Sequence, residues 1–349
     1  MYVDAGSHGS GVIAWARLLT YSPQAVLHLL DGDDLRREAL NGLDLVLLPG
    51  GDGFRQHKSM GPEGADAVRR FVGGGGKYLG TCAGLAISLN EPDRIQLIKY
   101  RRIMGAVRGQ GRLAVKLSEK GASMLGVRSG RYMVRYSNGP LPQLTEQPAT
   151  GDSEVIAVYD STLGAPGSEG PSMYGLPAII HGHYGEGPVL VTGFHPECYA
   201  STHVLALGCL HCLTGQVFTS EFPTNAFRPI RIAYYTAVLG NKEAIENALA
   251  IDASPATDLL TISNNDIDEG ILDHSDVLVL SDGDMDLYVE RLKPPHLAVI
   301  NRFVDRGGFV IASEQTKSLV PGTSDRVFLL ADEQTIPAMA HQISSSLSS

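Results

Sequence analysis

The sequence predicts an α/β protein: a doubly wound parallel sheet in a first domain over residues 1–220, then a smaller, degenerate repeat of the same kind over residues 228–349. Three observations carry this expectation. Apolar, strand-like runs alternate with segments of helical period, the pattern of a parallel sheet covered on both faces. Glycine-rich turns cut off the apolar runs sharply. Sliding the chain against itself by 232 residues superposes several blocks without gaps.

In chain order, Tyr2-Val3-Asp4 reads as strand one, Gly6 to Gly11 as a turn, and Val12 to Leu19 as a helix of the first domain. Val26 to Leu29 is a second strand. The run Leu43-Asp44-Leu45-Val46-Leu47-Leu48 is a buried third, broken by Pro49-Gly50-Gly51-Asp52-Gly53. Ala65, Val68, Phe71 and Val72 share one helix face, and Gly73 to Gly76 lead into the short strand Lys77-Tyr78-Leu79. The stretch after Arg94 reads as β-hairpins, Ser161 to Pro171 as a loop, and Val189 to Thr192 as a late strand.

Under the 232-residue shift, Leu43–Leu48 falls on Ser275–Leu280, Gly51-Asp52 on Gly283-Asp284, Arg70–Gly76 on Arg302–Gly308, and Tyr2-Val3 on Tyr234-Tyr235. Cys82 meets Glu314, and the copy contains no equivalent of His195-Pro196-Glu197, so the second domain is expected to lack catalysis. The linker falls between Phe218 and Arg228. In the copy, Arg231-Ile232-Ala233 precede the equivalent of Tyr2, so strand one reads as short by two or three residues, which leaves room for a leader.

The net charge is −10, and its excess acid lies wholly beyond residue 220: residues 1–220 hold 19 basic and 19 acidic side chains, the remainder 9 and 19. Such an acidic second half repels a phosphate backbone, so no nucleic-acid partner is expected. Nor is a membrane partner, because no apolar stretch reaches the ~18 residues a bilayer needs. Four cysteines do not make a disulfide framework, and no secretory signal opens the chain; a cytoplasmic, reducing location is the expectation.

Gly80-Thr81-Cys82-Ala83-Gly84 is the thiol form of a nucleophile elbow, where small flanking residues let strand turn tightly into helix. A helix start beside the sulfur favours the thiolate, the form that attacks. A thiolate working on a carbonyl needs a base held by an acid, and Gly193-Phe194-His195-Pro196-Glu197 offers both. Their spacing of two residues in extended chain places His195 and Glu197 on one side. The turn after the third strand ends at the same sheet edge as the elbow, so the N–H groups of Gly51 and Ala83 are the expected oxyanion donors. Gly50-Gly51-Asp52-Gly53 lacks the Lys-Ser/Thr of a phosphate loop.

Taken in order, Pro49-Gly50-Gly51, Gly80-Thr81-Cys82-Ala83-Gly84 and Gly193-Phe194-His195-Pro196-Glu197 resemble the class I glutamine amidotransferase-like superfamily, most closely its biotin protein ligase N-terminal domain family. The resemblance spans residues 1 to about 215 and implies a flavodoxin-like fold with a Cys82-His195-Glu197 triad. Tyr136-Ser137-Asn138-Gly139-Pro140 and Tyr184-Gly185-Glu186-Gly187 also match its pattern, at the pocket rim and in the hairpin before the histidine. Gly50, Asp52, Asn138 and His183 are further candidates for substrate contact. Glutamine amidotransferases usually carry Gln where this chain has Ala86, which moves the expectation from glutamine toward an unassigned acyl substrate. No Gly-Arg-Gly-rich adenylate segment of a biotin ligase occurs in the 349 residues, so ligase activity is not expected.

The expected function is therefore cysteine-dependent amide hydrolysis or acyl transfer on a small-molecule or peptide carbonyl, with no metal or organic cofactor. Its rivals are a ligand-binding pseudoenzyme, whose acidic second domain contacts a protein partner or a second copy, and a redox sensor at Cys82. Eleven Lys or Arg and only Glu119 lie between Arg94 and Arg135; solvated hairpin faces explain this, and a rim that steers an anion is the alternative. Cys209-Leu210-His211-Cys212 lies in an apolar helical stretch and reads as core rather than zinc site.

Overall fold

The computed structural model describes residues 1–104, 109–145, 152–163, 172–222, 230–238, 240–254, 257–320 and 326–329. The chain divides into two units, Met1–Asp4 with Leu18–Glu221 and Ala5–Arg17 with Phe222–Ser349. Most of the expected linker and of the loop after Ser161 lies outside the described residues. Among those residues no helix is long and apolar enough to cross a membrane.

In the first unit, three strands run parallel: β1 (Leu45–Leu48), β2 (Lys77–Thr81) and β9 (Gly187–Thr192). Their apolar runs are almost wholly buried, as strands covered on both faces must be. Tyr2 extends this arrangement, bridging Leu30 in parallel and donating its N–H to the Leu47 carbonyl at 2.9 Å. Helix α3 (Gly53–Gly73) begins under the cap of Asp52, kinks at Gly61 (φ 68°) before Pro62, and buries Met60, Ala65, Val68 and Val72. These side chains join Val46, Leu48, Tyr78, Val189 and Val191 in one core cluster.

The sheet is not parallel throughout, as the sequence reading had it. Beyond β9 come β8 (Pro177–Tyr184), β7 (Ser153–Tyr159), β4 (Gln110–Leu117) and β5 (Gly130–Ser137), each antiparallel to its neighbour. The cause is local. The turn at Gly185 and Glu186 folds β8 back on β9, and the short helix α5 (Glu119–Leu125) returns β4 to β5. In sequence these strands fall between β2 and β9, and in the sheet they extend it beyond β9. A separate pair, β3 (Tyr100–Arg102) and β6 (Pro142–Leu144), is also antiparallel.

Among the described residues, the second unit holds a five-stranded, fully parallel sheet of β10 (Ile230–Tyr235), β11 (Thr257–Ile262), β12 (Val277–Leu280), β13 (Phe309–Ala312) and β14 (Val327–Leu329). Its order, β11-β10-β12-β13-β14, is the flavodoxin-like 2-1-3-4-5. Residues 5–17, which the sequence reading placed in the first domain, group with this unit. Gly9 N–H donates to the Thr236 carbonyl at 2.7 Å, and Arg17 Nε pairs with Asp252 at 2.8 Å.

Several hydrogen bonds recur 232 residues apart. Lys77 N–H donates to Asp44 O, and Phe309 N–H to Asp276 O, at 3.2 and 3.1 Å. Gly76 N–H meets Phe71 O, and Gly308 N–H meets Phe303 O, at 2.9 and 3.0 Å. Asp52 caps α3 through the N–H groups of Phe54 and Arg55; Asp284 caps α9 (Met285–Arg291) through those of Asp286 and Leu287. Leu45 faces Lys77 in β1 and β2, and Val277 faces Phe309 in β12 and β13.

Candidate active site

Cys82 stands between the end of β2 and helix α4 (Ala83–Ser88), with φ 51° and ψ −98°, a conformation that costs a non-glycine residue energy. Its N–H is held by the Thr192 carbonyl of β9 at 2.8 Å. The flanking glycines are required by close approach. A Cβ at Gly84 would collide with the Leu48 carbonyl, and one at Gly80 would come within 2.7 Å of the Gly84 backbone. Tyr78 Oη donates to Gly84 O at 2.8 Å and fixes the same corner. The thiol is 5% exposed and lies 3.5 Å from the Ser137 carbonyl.

His195 follows β9 at the strand end that also holds the elbow. Its N–H donates to the Arg135 carbonyl at 2.8 Å, and its Nδ1 lies 2.8 Å from Glu197 Oε1. The His195 side chain is 9% exposed and that of Glu197 0%. Burial pulls the His195 pKa down, but Glu197, the neighbouring Cys82 and hydrogen bonds from Cys198 and Cys82 outweigh it, leaving the pKa well above the usual histidine value. The bond at Nδ1 leaves Nε2 as the nitrogen available for proton transfer. Two supports escaped the sequence reading: His203 Nε2 bonds Glu197 O at 3.1 Å, and Thr202 Oγ1 donates to Pro196 O at 2.8 Å. Each is a polar side chain at a helix start, where capping is the ordinary reading.

The turn after β1 meets both groups. A Cβ at Gly50 would overlap the His195 ring at Cε1, while one at Gly53 would stand 3.3 Å from Ala86 Cβ and 3.4 Å from the Ala83 carbonyl. Gly51, between them, has φ 138°, a value suited to glycine. Asp52 is engaged in capping α3, with Oδ1 accepting from Phe54 N–H at 2.9 Å. Asn138 is exposed, has φ 52°, and directly follows Ser137, whose carbonyl faces the thiol.

His183 does not belong to this cluster. In the β8 and β9 register it faces Pro188, whereas Thr192, beside the elbow, faces Ile179. Four residues of strand separate the two positions by about 13 Å. The sequence showed that His181 and His183 alternate, but not which end of the strand met the site.

Donor atoms of His195, Glu197 and Cys198 lie within 4.8 Å of one another, close enough to ligate a metal ion. A metal there would replace the bond between His195 Nδ1 and Glu197. Cys209 and Cys212 lie in helix α6 (His203–Thr214); burial pushes both thiols up, Cys212 to about 11, as core cysteines behave.

No family model matches the chain. Phosphoribosylformylglycinamidine synthase subunit PurQ of Rhodospirillum rubrum is 44% identical over 72 residues, which cover 19% of this chain and 28% of that protein. The segment supports the likeness to the glutamine amidotransferase-like superfamily, and the chain spans little more than a quarter of this curated relative's length. Among solved structures, PurLQS from Thermotoga maritima matches with a TM-score of 0.43 and 14% identity over 61% of this chain and 97% of that chain. A ThuA-like protein from Bacteroides uniformis matches with a TM-score of 0.41 and 13% identity over 62% and 90%.

Proposed function

We propose that this chain is a cysteine-dependent amidase or acyl-transfer enzyme of glutamine amidotransferase type, with Cys82 as nucleophile, His195 as general acid and base, and Glu197 as the group that orients the imidazole. One observation carries the reading: a buried thiol on a positive-φ residue acts electrostatically on an imidazole locked at Nδ1 by a fully buried carboxylate. Cys82 Sγ attacks the substrate carbonyl as the proton rests on His195 Nε2; collapse of the tetrahedral adduct expels the amine, which takes that proton. Water, or a second amine, then resolves the thioester. The N–H groups of Gly51 and Ala83 are the proposed oxyanion donors. Ala86, where glutamine amidotransferases usually carry Gln, supports an acyl substrate other than glutamine. The likeness to a biotin protein ligase N-terminal domain belongs to this proposal too and rests on the sequence motifs.

The second unit is proposed to be a degenerate repeat without catalysis, supported by hydrogen bonds and strand registers recurring at 232 residues. The curated relative is named as a synthase subunit, which supports a search for a protein partner. Ammonia release from a panel of amides, glutamine included, tests the enzymatic reading. Turnover of at least one amide that vanishes in Cys82→Ala is expected. A panel wholly inert with wild-type protein, alongside a ligand that shields Cys82, would instead establish a binding module.

A further inference from the structure

Two arginines that make no ion pair among the described residues contact the His195 segment, Arg135 through its backbone and Arg112 through Tyr199. The register of β4 and β5 sets Arg112 directly opposite Arg135, and Lys116 opposite Arg131. Opposed residues of an antiparallel pair share a sheet face, where like charges are destabilising. Arg131 is balanced by Asp160. Among the described residues, no carboxylate lies within ion-pair distance of Arg112 or Arg135. Arg112 instead stacks over the Tyr199 ring, 5.3 Å from its centroid. Arg135 is tied through its carbonyl to the N–H of His195.

These ties bracket the segment that carries His195 and Glu197. Ser137, two residues and about 7 Å beyond Arg135 along β5, offers the carbonyl that touches the Cys82 thiol. Arg112 and Arg135 are cross-strand neighbours on one sheet face, Arg135 on the strand that also carries the Ser137 carbonyl; like charges so placed repel, a bound anion relieves the repulsion, and guanidinium forks suit oxyanions. Solvated hairpin faces account for a general excess of base, but not for this pair at this place.

We propose that Arg112 and Arg135 form a subsite for an anionic group, a carboxylate or a phosphate, carried by the substrate and placing its acyl carbon at Cys82. The inference rests on Cys82 as nucleophile, and the substrate class it names is an anionic acyl compound. A matched pair of reagents separates the two claims. Iodoacetate is an anion and iodoacetamide is neutral, while both alkylate a thiolate. On the full chain at low salt, the ratio of iodoacetate to iodoacetamide rates is expected to be about tenfold higher at Cys82 than for the neutral free thiol N-acetylcysteinamide. Added sodium chloride should erase the excess. Arg112→Gln with Arg135→Gln should bring the ratio down to that of the free thiol, and the paired Lys variants should restore most of it.

Succinate and inorganic phosphate, added as competitors of iodoacetate, identify the anion: protection by one names its chemistry, and protection by neither contradicts the subsite. Fast alkylation of Cys82 by iodoacetamide with no excess for iodoacetate overturns the subsite and leaves the nucleophile standing. Slow alkylation by both reagents overturns both. The salt dependence is read on wild-type protein, so the test survives a variant that does not fold.

Discussion

Gly50 is where a single atom decides the site. Its missing side chain makes room for the His195 ring, so Gly50→Ala must displace the imidazole or the turn. The expected outcome is a fall of at least about 100-fold in turnover, in keeping with the cost of misplacing a catalytic group. Thermal unfolding should shift by only a few degrees. A second prediction concerns pH. Because His195 titrates well above the usual histidine value, the imidazolium persists above pH ~6.5. Alkylation of Cys82 should therefore decline little between about pH 8 and 6, where an ordinary thiol of pKa ~8.5 loses nearly two orders of magnitude. Burial lowers the His195 pKa, and Glu197 is the largest influence raising it; Glu197→Gln removes that influence and should restore the steep dependence. The sign for stability follows: the raised pKa contributes stability present below the unfolded value of ~6.5 and lost as pH rises through the folded one. Cys82, His195 and Glu197 were legible because each lies in a short motif with its own chemistry. The place of His183, four residues of strand from the level of the elbow, was not legible, because strand periodicity fixes the face of a side chain and leaves its distance along the strand open. The roles of Ser137 O and Arg135 were invisible, since backbone contacts leave no side-chain signature.

At the scale of elements, the packing of α4 on β1 rests on Gly84. Gly84→Ala would drive a methyl group into the Leu48 carbonyl, a backbone obstacle that cannot turn aside. Urea unfolding should report a loss of about 3 kcal/mol, the upper end of overpacking costs. Most parallel strands were legible as continuous apolar runs, among them β1, β9 and β12. The antiparallel extension was not assigned to the main sheet, although its hairpins were read locally. Strands such as β5 alternate between buried and exposed residues, and that pattern names a half-covered strand without naming its neighbour. Helix α1 (Ser10–Thr20) was legible along the chain, and residues 10–17 of it group with the second unit, because helical periodicity says that an apolar face is covered and not by what.

At the scale of the whole molecule, the proposal is one live elbow in the first unit and one lost counterpart in the second. Glu314 occupies the position 232 residues after Cys82 and is exposed, following β13 as Cys82 follows β2. Glu314→Cys supplies a thiol but no histidine or buried carboxylate from the matching segment. At about pH 6 it should alkylate no faster than an unactivated surface thiol. Rapid, pH-insensitive modification there would contradict the loss of chemistry in the second unit. The central claim remains the activated thiol, and competitive alkylation of the folded full chain by iodoacetamide at about pH 6, read by peptide mass spectrometry, tests it most directly. The account predicts that Cys82 is modified well ahead of Cys198, Cys209 and Cys212, and that His195→Gln removes this lead. Equal rates at all four cysteines, or a lead that survives loss of the imidazole, would contradict it.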